Sequence, residues 1–270
     1  MPEGDTIHKL AHYLGPRLKG RLLYPFKGED APRAVNVFDD RTEQVRAVGK
    51  NLLIALASER TLRVHLGMYG TWHHYGRGAP WRKSARTAGV ILATKSDIFV
   101  CFRPTQVDLI TTASGLSHPV YDEVGPDLMD DPIHAEKTLR RIESFKTASP
   151  RMDDLLLDQR IHAGIGNVYK SELLFLEGLA PSTPVHAVAN HQLIRLYDLA
   201  RQLLRLNRKG GPRVTTSILL PKKKRIDSNL WVYGRHRQPC FICGASIVKA
   251  LTGRHQRITY WCPNCQCDIC

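Results

Sequence analysis

A pair of CxxC motifs near the C-terminus constrains the fold more than any other feature of this sequence. Cys240 and Cys243 form the first pair and Cys262 and Cys265 the second, with eighteen residues between the pairs. This spacing is typical of a tetrahedral zinc site in which each pair forms a tight turn and the intervening segment a β-hairpin. Because four thiolates leave no open position, we expect one structural zinc ion.

Cys267 and Cys270 add a further CxxC motif. The chain has seven cysteines, and six of them lie between Cys240 and Cys270. In a reducing compartment such clustering indicates metal binding rather than disulfide bonds. A site formed by Cys262, Cys265, Cys267 and Cys270 is therefore an alternative, although it would place all four ligands within nine residues.

The chain is strongly basic. It has 39 Lys and Arg residues against 25 Asp and Glu, a net charge of +14, which favours a polyanionic partner. The most polarised stretch lies between Asp198 and Asp227, where nine Lys or Arg residues occur without an acid. We interpret it as a surface for electrostatic contact. The chain has no signal peptide and no apolar run long enough for a membrane span, so we expect a soluble cytoplasmic protein with no membrane partner.

The first half of the chain predicts β-structure. Short runs rich in branched and aromatic residues alternate with turn residues, as in a β-sandwich. The nine predicted strands are Leu22–Tyr24, Val35–Phe38, Gln44–Val48, Leu52–Leu56, Thr61–Leu66, Thr71–Tyr75, Gly89–Ala93, Ile98–Cys101 and Val107–Ile110.

The first residues combine a reactive amine with a helix that would hold it. A small second residue favours removal of Met1, which would leave the secondary amine of Pro2 at the N-terminus. An α-amino group with a pKa near ~8 is partly neutral at pH 7 and can attack an aldehyde-level carbon to form an iminium ion. Glu3 could transfer protons beside it. Asp5 or Thr6 is expected to cap the following helix, which Gly15-Pro16 would end; an ordinary irregular chain end is the alternative.

Two loops of the β-rich half carry further candidate residues. Lys50 follows Gly49 between two predicted strands and could meet a phosphate, although most loop lysines are simply solvated. Gly67 and Gly70 bracket Met68 and Tyr69 in a tight turn. Apolar side chains on such a turn can insert into a base stack, and burial in the core is the equal alternative.

The second half predicts helices at Ala135–Phe145, Met152–Gln159, Val168–Glu177 and His191–Leu206, after a segment rich in Gly, Pro, Asp and Ser. Before the third helix stands Gly164-Ile165-Gly166-Asn167. A glycine-rich double turn exposes backbone N–H groups at a helix N-terminus, which is a ready anion site. Asn167 can add a side-chain donor. An ordinary helical hairpin is the alternative.

Together these segments, in this order, resemble the formamidopyrimidine-DNA glycosylase and endonuclease VIII family of base-excision repair enzymes over essentially the whole chain. The residues that carry the resemblance are Pro2-Glu3-Gly4, Gly49-Lys50, His65-Leu66-Gly67-Met68, Ala163–Tyr169 with Glu172, and the cysteine motifs with Arg257–Gln266. The resemblance implies an α+β fold of two domains: an N-terminal β-sandwich flanked by helices, and a C-terminal helical domain with a helix–two-turn–helix motif and a β-hairpin zinc finger.

The resemblance also implies domain boundaries. We expect an N-terminal catalytic domain at residues 1–115, a linker at 116–132, a helical DNA-binding domain at 133–230 and a four-cysteine zinc finger at 231–270. The segment Lys209–Arg225 falls where some members of the family carry a lid over the extruded base.

The site residues follow from the same resemblance. Pro2 would be the nucleophile at C1′ of a damaged nucleotide, Glu3 the acid/base, and Glu172 a carboxylate supporting the amine. Lys50 would contact a phosphate at the scissile site, and Met68 and Tyr69 would fill the gap left by the flipped base. The DNA backbone would be held by Gly164, Gly166, Asn167 and Arg257.

The implied activity is that of a bifunctional DNA glycosylase and AP lyase acting by a Schiff base and β,δ-elimination. Its partner is double-stranded DNA with damaged bases or abasic sites, and we expect a monomer associated with the bacterial nucleoid. Asp5-Thr6, Met68–Trp72 and Trp231–Arg235 are closer to the endonuclease VIII branch, which prefers oxidised pyrimidines, whereas His65–Met68 is closer to the oxidised-purine branch. The remaining alternative is a non-catalytic protein that binds damaged DNA or RNA.

Overall fold

The computed structural model describes residues 2–26, 34–111, 119–145, 150–218 and 227–267. The chain divides into two compact units, Met1–Asp122 and Glu123–Cys270. The predicted linker 116–132 spans this division, and its first three residues lie outside the described residues. Leu128 and Met129 from its second half are buried in the hydrophobic core of the second unit. Apolar burial therefore makes this part of the segment a packed element of the helical unit.

The first unit is a β-sandwich with one long helix, as predicted. All nine predicted strands are present, in a five-stranded sheet of order β1-β3-β4-β5-β9 and a four-stranded sheet of order β2-β7-β8-β6. The helix α1 is Gly4–Leu18. The strands are β1 Leu22–Leu23, β2 Val35–Val37, β3 Asp40–Val48, β4 Asn51–Leu56, β5 Arg60–His65, β6 Thr71–Gly76, β7 Ala88–Ala93, β8 Asp97–Phe102 and β9 Gln106–Thr111, with a 3-10 turn at Ala85–Thr87.

The core of the first unit explains these strands. Alternate residues of β4 (Leu52, Ile54 and Leu56) face one side of their sheet because side chains alternate along a strand. They pack in the same cluster as Val90 of β7 and Ile7 of α1. One hydrophobic core therefore joins both sheets and the N-terminal helix.

The helix α1 begins earlier than the sequence predicts. Its N-cap is Glu3, not Asp5 or Thr6, because Thr6 lies three residues on, where its Oγ1 accepts the Glu3 N–H at 3.4 Å in the manner of a capping box. The predicted end at Gly15-Pro16 is also wrong, since the helix continues to Leu18. The fully buried Leu18 side chain holds the last turn in the core. This packing offsets the helical hydrogen bond that is lost because Pro16 has no backbone N–H.

The second unit is helical and ends in a β-hairpin, also as predicted. Ile165, Leu173, Leu196 and Leu203 are buried in its main core cluster. Its elements are α2 Val120–Glu123 at the division of the units, α3 Ala135–Glu143, α4 Met152–Leu155, α5 Asn167–Leu176, α6 Asn190–Leu206, a 3-10 turn at Val185–Ala187, and the antiparallel strands β10 Val248–Thr252 and β11 Arg257–Trp261.

The helix predicted at Met152–Gln159 is shorter than expected. After Leu155 the chain tightens, because the N–H groups of Leu157 and Asp158 donate to carbonyls three residues back, Asp154 and Leu155, at 3.2 Å. Such bonds turn more sharply than an α-helix. Among the described residues, no helix has both the length and the apolar character needed to cross a bilayer.

Candidate active site and nucleic-acid interface

Pro2 stands directly before a rigid element. It is partly exposed, and the next residue, Glu3, is fully buried. The carbonyl of Glu3 accepts the N–H of Thr6 at 2.9 Å and that of Ile7 at 3.2 Å. Since Ile7 is anchored in the sandwich core, the backbone at Pro2 is held in place, with a shielded carboxyl group on the adjacent residue.

Lys50 lies at the tip of a hairpin. Gly49 and Lys50 form the turn between β3 and β4, whose strands pair from Val48 and Asn51 onwards. Gly49 has a φ of 57°, a left-handed conformation that glycine adopts without strain. The turn therefore fixes the Lys50 backbone at the end of the five-stranded sheet.

His65 and Arg63 share this end of the sheet with Lys50, although the sequence predicted no site role for either residue. His65 pairs with Asn51 across β4 and β5. Burial lowers the pKa of His65, and the charges of Lys50 and Arg63 lower it further, so the imidazole is neutral at neutral pH. Arg63 donates from Nε to Asn51 Oδ1 at 3.0 Å. The result is a positively charged end of the sheet in which a neutral histidine lies near two cations.

Met68 and Tyr69 project from a tight turn, as predicted. The Gly70 N–H donates to the Leu66 carbonyl at 3.0 Å, and Gly67 has a φ of +61°. The Met68 side chain is 45% exposed and that of Tyr69 70% exposed. Most large apolar side chains are buried in the core, so this pair is presented to solvent by the turn rather than packed beneath it.

The glycine-rich turn before α5 is braced by one side chain. Gly164 has a φ of 119°, and its N–H donates to Gln159 Oε1 at 3.1 Å. The amide nitrogen of Gln159 donates to the carbonyls of Leu157 at 2.8 Å and Ile165 at 3.0 Å. Gly166 is the N-cap of α5, so the turn leads directly to the first N–H groups of that helix.

Asn167, the first residue of α5, connects this turn to the terminal hairpin. Its Nδ2 donates to the Ile258 carbonyl at 2.6 Å, which places the N-terminus of α5 beside β11. Arg257, the residue before Ile258, has an exposed side chain. The two predicted backbone clamps, Asn167 and Arg257, therefore lie in adjacent segments of the same unit.

Two further contacts fix the hairpin on α5. The fully buried Lys170 donates from Nζ to Thr259 Oγ1 at 2.6 Å. The Tyr260 N–H donates to Ser171 Oγ at 3.3 Å. Residues 167, 170 and 171 form one face of the helix and contact three consecutive residues of β11.

Glu172 is fully buried, and its oxygens accept bonds from within the second unit. Oε2 accepts the Thr215 hydroxyl and the Trp231 N–H, and Oε1 accepts the N–H groups of Val232 and Tyr233 at 2.9 and 2.8 Å. Burial raises the pKa of Glu172, and these donors partly offset that effect. Four donors match the acceptor capacity of a carboxylate, so Glu172 holds the segment that leads to the cysteine motifs. Its role toward the Pro2 amine stays a prediction.

The four predicted metal ligands converge. The thiol sulfurs of Cys240, Cys243, Cys262 and Cys265 all lie within 4.8 Å of one another, with 3.9 Å between Cys240 and Cys265 and 3.4 Å between Cys243 and Cys262. Metal–sulfur bonds of about 2.3 Å in a regular tetrahedron separate the sulfurs by about 3.8 Å. The donor set therefore fits one tetrahedral ion.

The alternative cysteine set is not assembled in the described residues. Cys267 is exposed and its Sγ donates to the Asn264 carbonyl at 3.5 Å, apart from the cluster of four. Cys270 lies outside the described residues, as does part of the predicted lid segment.

Comparisons with known proteins agree with this arrangement. Residues 1–105 match the N-terminal domain of formamidopyrimidine-DNA glycosylase, and residues 124–216 match its H2TH domain. The chain is 37% identical to a probable endonuclease 8 2 of Streptomyces coelicolor, over 98% of this chain and 94% of the relative. It is 32% identical to a protein of Mycolicibacterium smegmatis named DNA-(apurinic or apyrimidinic site) lyase Nei2, over 98% and 99% of the two chains.

A solved structure shares the fold. Lactococcus lactis formamidopyrimidine-DNA glycosylase, bound non-covalently to DNA containing an abasic site, superposes with a TM-score of 0.80 at 20% identity, over 98% of this chain and 99% of that chain. The sequence similarity to the curated relatives extends along nearly the whole chain. The chain therefore belongs to the formamidopyrimidine-DNA glycosylase and endonuclease VIII family of DNA glycosylases and AP lyases.

Proposed function

We propose that this protein is a bifunctional DNA glycosylase and AP lyase of base-excision repair, with Pro2 as its nucleophile. The observation that carries the proposal is the placement of Pro2. It is partly exposed at the start of a helix anchored in the sandwich core, next to the fully buried carboxyl group of Glu3. A nucleophilic amine requires a fixed position and a proton-transfer group within reach; in this proposal the anchored helix supplies the first and Glu3 the second.

The reaction begins with the free amine of Pro2 after removal of Met1. The nitrogen lone pair forms a bond to C1′ of the damaged nucleotide while the bond from C1′ to the base breaks, and the base leaves with a proton supplied by Glu3. The attached nitrogen then loses its proton, and its lone pair forms a double bond to C1′ while the C1′–O4′ bond breaks and O4′ takes up a proton, which opens the sugar ring. The resulting iminium ion acidifies the C2′ proton. Its removal expels the 3′ phosphate by β-elimination, and a second elimination expels the 5′ phosphate.

Each unit offers its own candidate phosphate contacts. In the first unit, Lys50 would neutralise a backbone phosphate, and the neutral His65 beside it can donate a hydrogen bond. In the second, the glycine turn at Gly164 and Gly166 opens onto the N-terminus of α5, where backbone N–H groups favour a phosphate. Arg257, on the adjacent hairpin, would contact the same strand. Most affinity in such complexes comes from phosphate contacts.

Met68 and Tyr69 would occupy the space left by the extruded nucleotide. C1′ is inaccessible inside a duplex, so an enzyme of this class must take the base out of the stack. An exposed apolar side chain can replace the stacking that is lost. The 70% exposure of Tyr69 on a rigid turn is consistent with this use.

We propose oxidised pyrimidines as the preferred lesions. The support is the naming of the curated relatives as endonuclease 8 together with the segments Met68–Trp72 and Trp231–Arg235. The alternative, oxidised purines, rests on His65–Met68. The relative rates of covalent trapping on pyrimidine and purine lesions distinguish the two.

The cysteine cluster would hold one zinc ion in a structural role. Cys240, Cys243, Cys262 and Cys265 supply four thiolates, which leave no position for substrate. The ion would stabilise the base of the hairpin that carries Arg257. We propose a monomer that acts on double-stranded DNA in the bacterial nucleoid.

Borohydride trapping tests the nucleophile. The protein is incubated with duplexes containing thymine glycol, dihydrouracil, 8-oxoguanine or an abasic site, and the imine is reduced to a covalent adduct. We expect adducts with the pyrimidine lesions and the abasic site, formed more slowly with 8-oxoguanine. Absence of an adduct on every duplex would refute the catalytic proposal, and faster trapping on 8-oxoguanine would favour the purine alternative.

The control blocks the amine without changing the fold. A short N-terminal extension that keeps Pro2 internal converts its nitrogen to an amide, which is not nucleophilic. We expect this variant to bind abasic-site DNA with unchanged affinity and to form no adduct. A Glu3→Gln variant, which keeps the shape of the side chain, should still form an adduct with abasic DNA but release damaged bases at least about 10²-fold more slowly.

A further inference from the structure

The loop 77–87, which joins β6 to β7, reaches back to the turn that carries Met68 and Tyr69. β6 begins at Thr71, two residues after Tyr69. Lys83 of the loop donates from Nζ to Thr71 Oγ1 at 2.7 Å. An ammonium group has three donors, and this bond uses one of them. The Lys83 charge therefore lies directly beside the turn.

Strand register brings a second cation of the loop to the same place. Thr71 pairs with Phe102 of β8, and Phe102 pairs with Ala88, the first residue of β7. Arg86 stands two residues before Ala88, within the 3-10 turn Ala85–Thr87. Arg86 therefore lies at the same end of the four-stranded sheet as Thr71.

Aromatic packing fixes the course of the loop. The Trp81 ring stacks on Phe26 with 5.3 Å between the ring centroids, and on Tyr75 with 6.0 Å. The next residue, Arg82, donates its backbone N–H to the Tyr75 hydroxyl at 3.1 Å. The cations that follow Trp81 are therefore presented from a backbone that is held on the four-stranded sheet.

The charge of this loop is not neutralised by acids. From Gly76 to Ser96 the chain has five Lys or Arg residues and no Asp or Glu. Arg82 and Arg86 are exposed and Lys83 is partly buried. In the part of the chain that the structure describes, none of these three side chains pairs with a carboxylate. Burial lowers the pKa of His73 on β6, and the charges of Lys83 and Arg82 lower it further. The loop thus offers uncompensated positive charge to a polyanion.

The turn that would enter the duplex separates these cations from Lys50. It joins β5 of the five-stranded sheet to β6 of the four-stranded sheet. Lys50 lies at the end of the first sheet and Lys83 at the end of the second. Stacked sheets lie about 10 Å apart, which is about three base-pair steps of 3.4 Å. A duplex with its lesion at the turn therefore reaches both positions.

We propose that Arg82, Lys83 and Arg86 form a phosphate-binding surface that holds the DNA backbone on the side of the lesion away from Lys50. The ligand is the phosphodiester backbone within about three base pairs of the lesion. The inference rests on the proposed function, because that function places the lesion at the turn. None of the three residues takes part in the chemical step.

Methylphosphonate scanning tests this surface on the full-length protein. The duplex carries a tetrahydrofuran abasic analogue, and one phosphate at a time is replaced by an uncharged methylphosphonate. We expect a loss of affinity of about tenfold at one or two phosphates near the lesion, as for loss of a charge-assisted hydrogen bond. In the variant that lacks the contacting cation (Arg82→Gln, Lys83→Gln or Arg86→Gln), the same methylphosphonate should cause no further loss.

Two further variants make the assignment specific. Lys50→Gln, scanned in the same way, marks the phosphates on its own side of the lesion. Arg77→Gln is the matched control for charge, since Arg77 belongs to the same loop but lies at the far end of β6, over the Tyr24 ring with its guanidinium donating to the Pro25 carbonyl at 3.5 Å. Each loop variant should reduce the slope of log K against log salt by about 0.9, and Arg77→Gln should leave it unchanged.

Three outcomes would overturn the proposal. Methylphosphonate penalties that are the same in wild type and in all three loop variants would exclude a direct contact. Equal weakening by Arg77→Gln would show attraction by overall charge. Phosphates shared with Lys50→Gln would place the surface on the wrong side of the lesion. Borohydride trapping with wild type tests the nucleophile separately, so the absence of an adduct would refute the catalytic proposal without altering the result of the scan.

Discussion

Replacing Gly67 by alanine should displace the turn that carries Met68 and Tyr69 and lower the stability of the protein. Gly67 has a φ of +61°, and a Cβ built on it would lie 1.8 Å from Thr105 Oγ1 and 2.9 Å from Thr105 Cβ. The left-handed backbone costs alanine about 1–2 kcal/mol. Forcing a methyl group against Thr105 adds about 1–3 kcal/mol, so Gly67→Ala should lower the free energy of unfolding by about 2–5 kcal/mol.

Gly78→Ala is the matched control for this prediction. Gly78 also has a positive φ, +85°, but a Cβ there would meet no heavy atom within 4 Å. It should therefore cost only the backbone part, about 1–2 kcal/mol. Urea unfolding of both variants gives the difference in their free energies of unfolding, which measures the cost of the clash with Thr105.

Base extrusion is the functional readout of the same pair of variants. The clash is relieved most easily by moving the turn, which displaces Met68 and Tyr69. With 2-aminopurine placed opposite an abasic site, we expect Gly67→Ala to lose the fluorescence change of extrusion, while Gly78→Ala keeps it. Equal destabilisation by the two variants would refute the steric reasoning. A double variant gives a further check. Because Thr105→Gly removes the side chain that clashes, Gly67→Ala should destabilise the protein less in the Thr105→Gly background than in wild type.

Three other perturbations have defined outcomes. Arg257→Ala should weaken binding to abasic-site DNA and reduce the slope of log K against log salt by about one, measured by anisotropy at several salt concentrations; an unchanged slope would exclude a phosphate contact. Chelation of metal, or Cys243→Ala, should lower the melting temperature and the DNA affinity, and normal binding after verified metal loss would contradict the structural role. Burial raises the pKa of Asp158, but hydrogen bonds from Arg160 outweigh this effect, so the pKa is lowered. The stability that this carboxylate contributes is therefore present above its unfolded pKa of ~4 and is lost as the pH falls through the folded pKa. Asp158→Asn should therefore reduce the dependence of the free energy of unfolding on pH at the acid end.

Features encoded within a short segment were predictable. The spacing of Cys240, Cys243, Cys262 and Cys265 is local chemistry, and the structure brings the four sulfurs together. The nine strands were also predictable, because the alternation of apolar and polar residues along a strand is a property of neighbouring residues. The tight turn around Met68 follows from its two flanking glycines.

Features that depend on distant pairing were not predictable. The electrostatic effect of Lys50 on His65 arises from the register of β4 on β5, which pairs His65 with Asn51 and which no single segment contains. The four donors to Glu172 come from positions 215 and 231–233. The start of α1 was missed for a different reason: Thr6 is a common N-cap residue, but here its hydroxyl serves the N–H of Glu3 from inside the first turn.

The attachment of the hairpin to α5 determines what can be exchanged between relatives. Asn167, Lys170 and Ser171 lie on one face of α5 and form hydrogen bonds with three consecutive residues of β11. A chimaera whose imported finger lacks a hydroxyl at position 259 would remove that acceptor from the buried Lys170 ammonium, a loss that burial makes expensive. Helix α5 and the finger therefore have to be exchanged together, and the junction of a chimaera should lie before Asn167 rather than before Cys240.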